Sequence, residues 1–188
     1  MSSHSGMSLH DLASRIGATI KRGLSDSEVV AVQDMFDITF PPDLRQFLQA
    51  GLPTGERWPN WTEALSNAIE AERIREMLKW PLDGMVFDVE ENMFWDTTWG
   101  VRPIDRTERV RVVTQAVAAA PRLIQIYGHR YMPAEPSMSG NPVFSIHQTD
   151  IIIYGSNLET YLLAETKLAP IVAEAREIRD WTRWMNAH

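Results

Sequence analysis

The sequence predicts an α+β domain, and three observations carry that expectation. Val143 to Ile146 and Ile151 to Tyr154 are apolar runs joined by His147-Gln148-Thr149-Asp150, with Gly140 before and Gly155 after; that is a β-hairpin pattern. Both ends of the chain carry apolar residues at spacings of three and four, the period of a helix with one buried face. No repeat, low-complexity tract or composition break divides the 188 residues. Helices at both ends and short strands between them therefore belong to one unit, with a mostly antiparallel sheet at its centre.

The elements follow in order. Residues 1–8 read as a flexible leader, and Met1 to Gly6 has no fold role. Leu9, Leu12, Ile16 and Ile20 share a helix face that Gly23 ends. Ser25 with Glu28 forms a capping-box pattern, opening a helix that buries Val29, Val32 and Phe36. Pro41-Pro42 stops that run and starts a short helix with Leu44, Phe47 and Leu48 inward. Gly51 to Asn60 reads as a loop, where Trp58 or Trp61 should expose at least one ring. Asn60 and Glu63 then cap a helix running toward Leu78, which Trp80-Pro81-Leu82-Asp83-Gly84 breaks.

Beyond that break, Met85 to Val89 reads as a strand, Glu90-Glu91-Asn92 as a turn, and Phe94-Trp95 as a further short strand. Asp105 to Ala119 is helical, with Val110, Val113 and Val117 on one side. Leu123 to Tyr127 is a strand and Gly128 to Ser139 a loop. The hairpin is apolar at nearly every position, so both its faces should be covered. Asn157 caps the next helix, and Pro170 opens a last one with Ile171, Ala175, Ile178 and Trp181 or Met185 inward.

Composition narrows the function classes. The formal net charge of −7 disfavours nucleic acid, because phosphate binding needs a cationic footprint. The same field favours encounter with a basic protein. No apolar run is long enough to cross a bilayer, so no membrane role is expected. The absence of cysteine removes disulfides and thiolate metal sites, and fits a cytoplasmic setting.

Several blocks in series resemble one family. Phe40-Pro41-Pro42-Asp43-Leu44, the punctuation of Trp95 and Trp99-Gly100, Pro121-Arg122-Leu123-Ile124, and the stretch from Gly140 to Glu165 with Ser145, Asp150 and Tyr154-Gly155 look like the SUKH superfamily. That family includes bacterial toxin-immunity proteins and a fungal cell-wall regulator. The resemblance spans roughly Leu24 to Leu168. It implies a bent central sheet ringed by helices, and a role in binding proteins, commonly toxins, with no chemistry of its own. The helices before Leu24 and after Pro170 lie outside the pattern.

Candidate chemistry is sparse. His129 and His147 lack a second histidine at helical spacing, so neither points to a metal site. Asp88, Glu90, Glu91 and Asp96 are the densest carboxylate group. They lack the glycine-turned loop of a calcium site and fit an acidic lip for cationic side chains. Ser137 and Ser145 lack a glycine-flanked elbow, and no phosphate loop is present. Trp58, Trp61, Trp80, Trp95 and Trp99 bracket the middle of the chain, where indoles serve core edges and binding hot spots alike, and all of them but Trp80 are candidate partner residues. Together with His129-Arg130-Tyr131, these tryptophans and carboxylates form the expected partner surface. No catalytic residue, metal or cofactor is expected.

The leading expectation is a non-enzymatic immunity protein that occludes a basic, nuclease-type toxin. A second is a small-molecule or regulatory module with the 128–139 loop closing over a pocket. A third is a hydrolase using His129 or His147 beside a carboxylate.

Overall fold

The computed structural model describes residues 6–187. Among these residues, eight α-helices and two antiparallel sheets make an α+β fold. Helix α1 (Leu9–Arg15) starts at Ser8, whose hydroxyl accepts from the Asp11 amide while the Asp11 carboxylate accepts from the Ser8 amide. Ser8 is thus a helix cap rather than leader, and the rest of the expected leader through Ser5 lies outside the described residues. The expected continuation to Ile20 does not form. The chain turns at Gly17 with φ 86° and enters β1 (Thr19–Lys21), which pairs with β2 (Leu52–Thr54).

Between those strands, local chemistry acts as read. The Ser25–Glu28 capping box starts α2 (Asp26–Phe36), and Pro42 opens α3 (Pro42–Ala50). The inward residues of both helices are the expected ones. Hydrogen bonds from Arg22 and the Ser25 amide hold the Glu28 carboxyl down at about 2. A one-turn helix, α4 (Trp61–Ala64), is capped by Asn60.

Helix α5 (Ala68–Glu91) corrects the reading of the middle region. It starts at a fresh cap, Asn67, and leaves Ile69 exposed. It then runs through Pro81 and continues to Glu91, so the expected strand at 85–89 is helix. Pro81 cannot donate to the carbonyl four residues back, that of Met77. The Tyr131 hydroxyl, fully buried, donates to Met77 O at 2.8 Å instead. Burial also pushes that phenol well above its ordinary pKa. Ala71, Ile74, Pro81, Gly84, Met85 and Val89 form the inward stripe. Phe94-Trp95 is irregular rather than strand, and a short 3₁₀ turn follows at Thr97–Trp99.

Helix α6 (Arg106–Ala119) is capped by Asp105. The main sheet has the order β3 (Leu123–Tyr127), β4 (Arg130–Pro133), β5 (Val143–His147), β6 (Asp150–Gly155). Strand β4 occupies part of the expected 128–139 loop, because Gly128-His129 is a tight turn with Gly128 at φ 52°. The β5–β6 link is two residues, Gln148-Thr149, with Gln148 in the left-handed region at φ 57°.

Two buried clusters lie on opposite faces of the sheet, as the alternation of strand side chains requires. Ile124, Met132 and Val143 belong to one, with α1–α4 and α7 (Leu158–Glu165). Tyr131, Phe144, Ile146, Ile151 and Ile153 belong to the other, with the second half of α5, α6 and α8 (Trp181–Met185). Double coverage holds for β3 and β4. It fails at β6, an edge strand where Ile152 stays 43% exposed.

The expected helix from Pro170 is absent as far as Asp180. Arg176 donates to Asn141 Oδ1 at 2.6 Å, and Arg179 donates to Ala119 O. These anchors draw the segment across the sheet end. Ile171 is exposed, while Ile178 and Trp181 are buried as expected.

Candidate functional site

The residues expected to form a partner surface separate into three groups. Trp58 and Trp61 are 2% and 1% exposed, so neither ring of that loop reaches solvent. Trp61 lies edge-on to Phe36 and Phe40, and Trp58 packs on Tyr127 at 5.1 Å between ring centroids. Trp95 and Trp99 belong to the opposite cluster, half-buried and edge to face at 5.2 Å. The indole network continues from Trp99 to Trp184 and Trp181. The expected juxtaposition of 58–61 with 88–96 does not occur, because the two segments feed different cores.

Most of the carboxylate group is committed internally. Asp88 is buried and accepts from the Thr149 amide at 2.8 Å, Thr149 Oγ1 at 2.5 Å and Asn92 Nδ2 at 2.6 Å. It pins the β5–β6 turn to α5. Glu90 pairs with Arg106 and with Arg109 at 3.2 Å, joining α5 to α6. Asp96 caps the 3₁₀ turn and receives Arg183 Nε at 3.0 Å. Burial would raise the Asp96 pKa, but hydrogen bonds from Thr98 and Arg183 outweigh it and hold the carboxyl low. Glu91 alone of the four is exposed.

The third group is structural as well. Arg130 is buried; its Nε reaches Glu165 Oε2 at 2.8 Å, its Nη1 reaches Ser145 Oγ at 2.7 Å, and its guanidinium lies 3.9 Å above the Tyr154 ring. Tyr131 serves α5. His129 contacts Arg130, and burial together with Arg130 and Arg57 lowers its pKa. No carboxylate hydrogen-bonds to His129 or His147 among the described residues. Nor does any group of three His, Asp or Glu converge there as a metal cage.

What the fold does present is the outer stripe of α5. Glu76, Trp80, Asp83 and Phe87 follow one another at spacings of four, three and four, and so share one helix face. Trp80 is 43% exposed and Phe87 48%, on the side opposite Met85. Gly84 lets the β5–β6 turn approach: a Cβ there would stand 2.7 Å from Gln148 Cα. A broad groove of about 880 Å³ runs between the stripe and that turn, bounded by His147 and Gln148. On the other side of the turn a second groove, about 660 Å³, is lined by Met93, Trp95 and Asp150. Met93 is also exposed.

Four exposed carboxylates, Glu72, Glu76, Asp83 and Asp150, flank these apolar side chains, against the two cations Arg75 and Lys79. Those cations are already paired, with Glu72 at 3.3 Å and Asp83 at 2.9 Å. The stripe is hidden in the sequence because Trp80-Pro81-Leu82-Asp83-Gly84 reads as a helix end. Continued through Pro81, the period of Glu76 and Trp80 would have placed Asp83 and Phe87 beside them.

Among the described residues no helix is long and apolar enough to cross a membrane. No protein-family model, curated protein or solved structure matches the chain.

Proposed function

We propose that this chain is a protein-binding module that captures a basic partner on the outer face of α5, working in the cytoplasm and performing no chemistry itself. The observation that carries this reading is the half-exposed pair Trp80 and Phe87, two turns apart on a helix anchored at both flanks. Exposed aromatics rimmed by polar groups on one helix face are a common mark of a contact site. Large rigid rings also supply hot-spot burial at low entropic cost. The surrounding carboxylates would draw in cationic side chains and speed encounter.

The SUKH-like series of blocks gives the reading its finer form, an immunity protein for a nuclease-type toxin. A nuclease holds phosphates with lysine and arginine, so a surface that pairs with those groups blocks nucleic acid by occupying its seat. The test is binding to the toxin-like product of the adjacent gene, followed by stopped-flow and by competition with DNA or RNA. Trp80→Ala should speed dissociation, and E76K/D83K should slow association at low salt about tenfold or more. Wild-type kinetics for both variants would place the contact elsewhere, and simultaneous binding of toxin and its nucleic acid would rule out occlusion.

A further inference from the structure

A separate cleft of about 380 Å³ opens where α2, α5 and α6 meet, on the flank of α5 away from the β5–β6 turn. Its walls are apolar, formed by Phe36, Ile38, Leu78, Pro81, Val117 and Trp181. The size is that of a small-molecule site. Its uncharged polar side chains are few: Trp181 Nε1 is spent on Pro121 O at 2.8 Å, and Thr114 is exposed. Charge is confined to the rim, where Arg75, Lys79 and Arg122 face a single carboxylate, Asp37. A cationic rim on an apolar cleft stands out in a chain with net charge −7.

The rim cations are available. Arg75–Glu72, Lys79–Asp83 and Arg122–Asp37 are all pairs between exposed side chains, worth little individually. A ligand anion held by two of them loses little by replacing those partners and gains charge-assisted hydrogen bonds. A ligand matching mostly apolar walls and a rim of exchangeable cations has an apolar body and one anionic end.

We infer that the α2–α5–α6 cleft binds an anionic amphiphile, specifically a medium-chain carboxylate. The hydrocarbon lies against Phe36, Leu78 and Trp181, and the carboxylate sits at Lys79 and Arg122. The cleft lies on a different flank of α5 from the stripe but shares Arg75 and Lys79 with its groove, so an anion on Lys79 would release Asp83.

The experiment titrates the full chain with decanoate below its micelle concentration, following tryptophan fluorescence and heat. Decanol and decylammonium serve as probes with the same body and a neutral or opposite head. Decanoate should bind saturably, one per chain, ahead of decanol and far ahead of decylammonium. Ala118→Trp, a substitution at an exposed position on the cleft wall, should abolish binding. K79Q/R122Q changes only exposed groups and should weaken decanoate roughly tenfold or more, the loss of both charged contacts, while leaving decanol unchanged. A non-saturating response overturns the site. So does equal binding of decanoate and decanol, or wild-type decanoate affinity in K79Q/R122Q.

Discussion

Asp88 and Asp83 stand five residues apart on α5, one closed inside the molecule and the other facing solvent. Asp88 accepts three hydrogen bonds and holds the β5–β6 turn. Asp83 pairs only with Lys79, both side chains more than half exposed. The same division runs through their neighbours: Glu90 and Asp96 are tied to arginines of other elements, whereas Glu76 stands beside Trp80 and Phe87. Density of charge along the chain therefore says little about a binding face. Helical phase decides which carboxylates build the fold and which remain for a partner.

The largest expected effect tests the buried side of that division. Asp88→Ala leaves the Thr149 amide and hydroxyl without this acceptor in a buried site, and should cost about 2–4 kcal/mol in urea unfolding. Asp83→Ala, by contrast, should stay within about 0.5 kcal/mol. Equal effects would erase the distinction. Gly84→Ala comes next. Helix propensity alone would favour alanine by about 1 kcal/mol, but the new Cβ meets backbone at 2.7 Å. A net loss of roughly 1–3 kcal/mol is expected, and a gain would mean the turn is free to move off α5.

Tyr131→Phe isolates the bond that carries α5 past its proline. Its cost should be about 1 kcal/mol, and should shrink when Pro81→Ala restores an amide donor for Met77 O. A double-mutant cycle reads that coupling directly, and additivity would show that the hydroxyl does not substitute for the missing amide.

These residues also show where sequence reading worked. Ser25 with Glu28 and Asn157 mark helix starts through contacts within four residues as read, Pro42 opens its helix through its fixed φ without a side-chain cap, and Asp105, read as the first helical residue, caps the helix that starts at Arg106. The strands at 123–127, 143–147 and 150–155 follow from apolar runs between turn residues. Helix α5 was hidden because the group that compensates Pro81 lies 50 residues later, on a strand itself read as loop. The segment after Pro170 had helical spacing, but arginine anchors to Asn141 and Ala119 O override it. The binding stripe was illegible for the same reason as α5, since its phase depends on the helix continuing.

Acid titration separates the two sets of carboxylates by another route. Asp96 has its pKa lowered in the folded state, so its contribution is present above the ordinary aspartate value near 4. That contribution is lost as pH falls through the depressed value. Asp96→Asn preserves a capping side chain and removes the charge facing Arg183. The variant should lose about 1–2 kcal/mol at pH 7, and its stability should fall less steeply than wild type below pH 4. A parallel acid limb would show that Asp96 is not among the groups linking protons to folding.

The smallest stability effect belongs to the outward stripe, and there the smallness is the point. Trp80 and Phe87 are about half exposed, so each alanine variant should cost less than about 1 kcal/mol. A residue that keeps a large ring half in water without holding the fold loses nothing essential when the ring is removed. If E76K/D83K and Trp80→Ala leave the unfolding curve in place yet change partner kinetics, the stripe is a surface built for contact. If Trp80→Ala costs as much as Asp88→Ala, the ring supports α5 itself, and the division between fold-building and partner-facing positions would have to be drawn between Glu76 and Trp80.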